Sequence, residues 1–358
     1  MNYCGIDAHH KSSTICVMDE QGKKLKLEKT ASTERGLWEA LGSMDREMQI
    51  ILEACATSKP VYKHLVNMGF TNAIYVNPCA TAQMRARGKK TDFVDAQGLA
   101  ELARLGLCEA WKVHIPGEWS HNMRKLLYAR EFVVKHRVAI TNRVKAILRV
   151  EGRPVPALKG ESGWEKLPEL LPEYLDDLNV LREVRGIYLK RELKLTSLIR
   201  REVSKHPKYK LISSVPCVGP LTAAVLLSCI DDISRFPSGK ALSSYFGVVP
   251  SVYQSGSVER MGSITKSGNS LARKFLAQAA HHARYPSNPF NALYLDLLRR
   301  KGTGRAVIAV AHKITQSVYA VLKYEEEFNP AKMGLVKVDK EVSFTREYER
   351  VHIVEELN

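Results

Sequence analysis

The chain has 358 residues, 45% of them hydrophobic and 26% charged, an ordinary globular composition with room for two or three cores. Its formal net charge is +16, from 54 Lys and Arg against 38 Asp and Glu, which favours polyanionic partners, nucleic acid first. The start "MNYCGIDAHH" lacks a signal peptide's n- and h-regions, no apolar run is bilayer-length, and seven cysteines without a C-x-x-C pair read as free thiols, so a cytoplasmic setting is expected.

In chain order, "YCGIDAHHKSSTICVMDEQGKKLKLEKT" reads as two or three short strands with a turn at "DEQGK". "TERGLWEALGSMDRE" has helical spacing, "MQIILEACAT" is a buried strand, and "KPVYKHLVNMG" is a helix stopped by Gly69. "TNAIYVNP" is a further strand, and "DFVDAQGLAELARLGL" an amphipathic helix ending at Gly106. Strands in hairpin order, then alternating with helices, predict a mixed α/β sheet. Residues 1–112 hold 15 Lys/Arg against 13 Asp/Glu, so about +14 of the surplus lies downstream.

After "VHIPGEW" the character changes. The segment 120–152 reads as one long helix, with Ser120 to cap it and Gly152 to stop it. It carries Arg124, Lys125, Arg130, Lys135, Arg137, Arg143, Lys145 and Arg149 against Glu131 and, next to the stop at Gly152, Glu151. A Pro/Gly-rich stretch (153–175) interrupts, and a second basic helix follows over roughly 177–205. A charge run is usually a solvated face, but two long helices biased to one sign predict a polyanion-binding hairpin or coiled coil. From 211 the chain reads as compact and helical to about 325, interrupted by a Ser/Gly stretch, "SVYQSGSVERMGSITKSGNS" (251–270), of linker composition. The tail 329–358 carries no assignable role.

Four carboxylates in the first third carry chemistry. Asp7 ends the strand "YCGID", Glu53 ends "IILE", and Asp92 and Asp95 share one face of a helix start. Converging, they would repel unless a hard divalent ion, Mg²⁺ or Mn²⁺, sat among them, and such ions position and polarise a phosphodiester. Singly, each has a plain structural role: Asp92 as helix N-cap, Asp95 on the helix dipole, Asp7 capping a turn and Glu53 as a strand-end acid. "GIDAHH" also allows His9 and His10 as metal ligands, although no partner cluster at ligand spacing accompanies them in the sequence.

"GID", "LEA" near 53 and "KTDFVDA", with "SVPCVGPLTAAVLL", "FGVVPSVYQSGS" and "GNSLARKFLAQAA" downstream, resemble the DEDD-type transposases of insertion-sequence family 110, over roughly residues 3–325. Piv-type invertases and bridge-RNA-guided recombinases belong to that family. The resemblance implies a RuvC-like, ribonuclease-H-type α/β domain (1–115), a basic helical or coiled-coil region (116–210) and a mostly helical transposase domain (211–328). It implies Asp7, Glu53, Asp92 and Asp95 as ligands of Mg²⁺ or Mn²⁺, and Ser255 as the nucleophile that joins DNA covalently, Ser257 being second by position. A serine hydroxyl needs activation; beside Ser255 the stretch offers only Glu259, so the acidic site would supply it.

Arg260, Lys266, Arg273 and Lys274 are candidate phosphate contacts, as are Arg124, Lys125, Arg137, Arg143 and Lys145 on the first long helix. "VPCVGPLTAAV" resembles a helix-hairpin-helix with Gly219 as its second glycine and Cys217 where a first glycine often stands; plain helix packing is the alternative. The family reading implies DNA, a bridge-type RNA and assembly into a dimer or tetramer. Two further readings stand beside it: a junction-resolving nuclease in which water attacks and Ser255 is dispensable, and a catalytically silent nucleic-acid-binding module, against which the four acids argue.

Overall fold

The computed structural model describes residues 1–55, 57–78, 91–255, 258–266, 268–332 and 334, with side chains described outside 252–261. Cys79, Ser257 and the whole tail from 335 lie outside the described residues. The chain forms two compact units, Met1–Ile115 and the remainder from Pro116.

The first unit is a mixed α/β layer structure. Strands β1 (Tyr3–Ala8), β2 (Ser12–Met18) and β3 (Lys24–Ala31) form an antiparallel meander, and β4 (Gln49–Glu53) and β5 (Ala73–Val76) continue parallel to β1. The two-residue β6 (Lys112–Val113), too short to read from sequence, closes the edge, giving the order β3-β2-β1-β4-β5-β6. The strand period of two sorts the side chains onto two faces. Cys4, Ile6, Ile15, Val17, Ile50 and Leu52 pack with α1 (Glu34–Leu41) and α2 (Ser58–Asn67). Cys16, Met18 and Ile51 face the opposite way, against α3 (Asp92–Arg104).

The approach of α3 to β1 depends on Gly5. A Cβ there would lie 2.1 Å from the Ala96 carbonyl oxygen and 2.3 Å from the Ala100 amide nitrogen, so only glycine admits the helix backbone. Thr91 starts α3, its hydroxyl accepting from the Val94 amide at 3.3 Å. The N-cap is therefore Thr91 rather than Asp92, so the Asp92 carboxylate, in the first turn, is not used for capping.

The second unit opens with α4 (Glu118–Val150) and α7 (Leu175–Ser204), which run antiparallel. Helix α4 begins before Ser120: Gly117 holds the N-cap position, its amide donating to Asp231 Oδ2 at 2.9 Å, and Ser120 is buried inside the helix. At the hairpin's tip, α5 (Glu161–Glu165) and α6 (Leu167–Leu170) fold the stretch between the long helices into a small core around Trp164. There the buried Arg185 lies 4.7 Å from the Trp164 ring and donates to Glu161 at 2.7 Å. At the base, Met123, Leu127, Ile199 and Val203 join the main core, built from α8 (Tyr209–Ser213), α9 (Pro220–Ile230), α10 (Gly239–Tyr245), α11 (Ser270–His281), α12 (Asn291–Lys301) and α13 (Thr303–Tyr324).

The Ser/Gly stretch is not a linker. It forms an antiparallel ribbon, β7 (Pro250–Ser255) with β8 (Val258–Ile264), in the register Tyr253↔Arg260 and Ser255↔Val258. Val252, Tyr253, Val258 and Ile264 supply strand propensity, and "GS" between two such runs is a hairpin signal that the serine-rich composition masks.

Gly5→Ala is expected to destabilise the first unit by about 1–3 kcal/mol, because helix and strand backbones must separate. Denaturant unfolding followed by circular dichroism checks this; an unchanged midpoint contradicts the close approach.

Candidate metal centre and basic surfaces

Asp7 and Glu53 leave the ends of neighbouring parallel strands, since Ile6 is registered with Leu52. Both lie on the face that packs on α3, as Gly5 and Ile51 do two residues earlier. Asp92 and Asp95 stand in the first turn of that helix, Asp95 buried and Asp92 more open. Asp7 is coupled electrostatically to Asp95, Asp92 and Glu53. Burial pushes its carboxyl above the ordinary range; His9 pulls it back, and the three other carboxylates push it further up.

Two basic side chains face these carboxylates. His9 Nε2 lies 3.2 Å from Asp7 Oδ2 and 3.4 Å from Asp92 Oδ1, and Lys29 Nζ lies 3.0 Å from Asp92 Oδ2. The hydrogen bond from Lys29 is the main reason the Asp92 carboxyl sits below the usual range. Asp7, His9 and Asp92 each offer a ligand atom within 4.8 Å of the others. Sequence spacing gave His9 no partner because its partner Asp92 is remote in the chain; the signal was its place just past the strand that carries Asp7. His10 is exposed beside it. Carboxylate oxygens with one imidazole, their ligand atoms this close together, fit a divalent cation.

The basic candidates divide by what they already hold. On α4, Arg124 donates to the carbonyls of Ser228 and Cys229 at the C-terminus of α9, and Arg137 pairs with Glu192 of α7 at 2.6 Å. Lys125 and Arg143 are exposed and Lys145 is half-buried. On α11, Lys274 pairs with Glu131 at 2.6 Å, and Arg273 donates to the Phe246 carbonyl at 3.2 Å. Lys266 is exposed with positive φ, 53°. Arg260 and Ser255 are placed by backbone only, opposite Tyr253 and Val258 in the ribbon.

Gly219 is exposed and extended at the N-terminus of α9, without a side-chain cap. Cys217 adopts the left-handed conformation (φ 72°) that a glycine would take without strain, and its Sγ accepts from Asn288 Nδ2 at 2.9 Å. Cys217 thus holds the positive φ that a glycine at this position would accommodate.

Two family models match the chain. Residues 4–151 match a transposase model of the DEDD type from IS110, and residues 209–295 match the transposase IS116/IS110/IS902 family. Among relatives, the transposase for insertion sequence element IS1111A of Coxiella burnetii is 26% identical, with 90% of each chain covered. The transposase for IS1328 of Yersinia enterocolitica is 22% identical over 76% of this chain and 83% of its own. The pilin gene-inverting protein of Moraxella bovis is 27% identical over 48% of this chain and 54% of its own. A DEDD-type match implies a divalent metal, in line with the donor set around Asp7. Among the described residues, no helix is long and apolar enough to cross a membrane.

The raised Asp7 carboxyl has a consequence for stability. Its proton is held more tightly in the folded chain, so stability falls as pH rises from about 3.9 through the raised value and stays lower above it. In the metal-free protein at neutral pH, Asp7→Asn is expected to raise Tm by a few degrees, about 2–4 °C per kcal/mol relieved. Added divalent ion should raise the Tm of the unsubstituted protein and not that of the variant. Scanning calorimetry with and without Mn²⁺ reads both; a lower Tm for metal-free Asp7→Asn contradicts the account.

Proposed function

This chain belongs to the IS110 family of transposases, enzymes that cut and rejoin DNA, and on that premise we propose that it recombines a mobile element through a carboxylate-held metal and a serine nucleophile. The observation that carries the reading is the approach of Asp7, His9 and Asp92 to one point within the segment matched by the DEDD-type model. The first unit is a RuvC-like, ribonuclease-H-type fold in this reading, supported by an antiparallel β1–β3 meander continued by parallel strands. Asp7, Glu53, Asp92 and Asp95 hold Mg²⁺ or Mn²⁺. When bound, the metal neutralises charge on the scissile phosphate and helps lower the pKa of an attacking hydroxyl.

The covalent step belongs to Ser255. Its Oγ attacks phosphorus, the hydroxyl proton passes to a nearby carboxylate or water, and the deoxyribose oxygen leaves with its bonding pair. The phosphoserine ester conserves the phosphodiester, so attack by a different strand's hydroxyl reverses the step and rejoins DNA without an external energy source. The ribbon that carries Ser255 lies in the stretch just after Val249 and before α11. The exposed Lys125, Arg143 and Lys266 are the phosphate contacts best supported by their exposure; Arg260 lies in the serine ribbon, and Arg273 and Lys274 follow it in sequence. The turn at Cys217–Gly219 would present the first amides of α9 to a phosphate, as in a helix-hairpin-helix. The α4–α7 hairpin is the coiled-coil element of this reading. A bridge-type RNA as guide and a dimer or tetramer as the working assembly follow from family membership and the basic hairpin. Strand exchange involves several cuts, which a single Ser255 per chain cannot make alone.

The test is a strand-exchange assay with denaturing gels that trap protein–DNA adducts. The intact protein is expected to give a covalent adduct, and Ser255→Ala to lose both adduct and product, as Asp92→Ala does. Recombination by Ser255→Ala at the rate of the intact protein would overturn the serine step and leave a water-using nuclease.

A further inference from the structure

His9 stands outside the set of four acids, yet it is the residue that touches two of them. Its Nε2 lies 3.2 Å from Asp7 and 3.4 Å from Asp92, bridging the end of β1 and the start of α3. A solvent-facing histidine beside one acid is usually a weak surface pair. This one differs in two respects. One ring nitrogen meets carboxylates from two separate elements, and the three ligand atoms fall within the span of a single ion. Its backbone is also fixed: the His9 amide donates to the Ser12 carbonyl at 3.0 Å, and its own carbonyl accepts from Ser32 Oγ at 2.9 Å. The preceding Ala8 carbonyl accepts from Thr57 Oγ1 at 2.7 Å, tying the strand end to the start of α2. The ring is therefore delivered to the carboxylates by a braced turn.

We propose that His9 is a nitrogen ligand of the divalent ion held by Asp7 and Asp92, and that it biases this centre toward Mn²⁺ over Mg²⁺. The inference rests on the reading of these carboxylates as a metal centre. For Nε2 to ligate, it must be the unprotonated nitrogen, so the ring would carry its hydrogen on Nδ1, as in histidines that bind metal through Nε2. Mg²⁺ prefers an all-oxygen octahedron and dehydrates reluctantly, whereas Mn²⁺ accepts imidazole and lies above it in affinity for mixed N/O sites. Replacing a carboxylate or water oxygen by imidazole nitrogen thus separates the two ions. The side chain is about half exposed, so the ring has room to turn onto an incoming ion.

Equilibrium Mn²⁺ binding to the full chain, followed by electron paramagnetic resonance with Mg²⁺ as competitor, tests this. Pulsed measurements on the bound Mn²⁺ report directly whether a ¹⁴N nucleus is coordinated. The intact protein and His10→Ala should show the nitrogen coupling; His9→Ala should lose it. Mn²⁺ affinity in His9→Ala should fall by about tenfold or more, with a smaller change for Mg²⁺. Bound Mn²⁺ without nitrogen coupling in the intact protein, lost in Asp7→Asn, overturns the His9 assignment and leaves the carboxylate centre standing. Absence of a saturable Mn²⁺ site, or an undiminished one in Asp7→Asn, overturns the centre itself.

Discussion

The first unit turns on a contact that has no side chain in it. At Gly5 the backbone of α3 lies directly against β1, closer than any Cβ allows. Because successive residues of a strand alternate faces, the residue two further on, Asp7, projects from the same face that receives the helix. The helix arrives with its first turn at that strand end, capped by Thr91, so its two aspartates stand over the strand's carboxylate. The parallel register of β1 with β4 adds Glu53 from the next strand. A short "GID" in the sequence therefore combines a backbone clearance and the acid that the clearance serves.

That arrangement stores electrostatic stress. Asp7 is partly buried among other carboxylates, and its proton affinity is raised as a result. Lys29 and His9 relieve some of the repulsion from the more open side. Strain of this kind is tolerated where a cation is to be bound, and the rest of the unit compensates with apolar layers on both sides of the sheet. The second unit treats its positive charge differently. Several of its arginines and lysines serve as internal fasteners, Arg124 on the end of α9 and Arg137 on Glu192, so the surplus that remains for a polyanion is smaller than the raw count.

Much of the fold was legible in the sequence, for identifiable reasons. The β-branched run at "STICVM", the helix stops at Gly69 and Gly106, and the two long basic helices are local signals, and the structure has elements there. The ribbon over 250–264 was not legible, because serine and glycine content outweighed the strand propensity of Val252, Tyr253 and Val258. The part of His9 was hidden for a different reason: its contacts with Asp92 exist only once α3 lies on the sheet. Which cations are spent internally was equally hidden, since charge is written in the sequence and its partner is not. The carboxylates stood out because strand ends and a helix start are local features. That they approach one another depends on Gly5, whose role appears only with the sheet and helix assembled.

The central proposal is that the end of β1 and the first turn of α3 together hold a divalent ion. Anomalous diffraction from crystals soaked in Mn²⁺ measures this most directly. A peak is expected within coordination distance of Asp7 and Asp92, on the face of the sheet that packs on α3. No peak at saturating Mn²⁺, or one only at other residues, would contradict it.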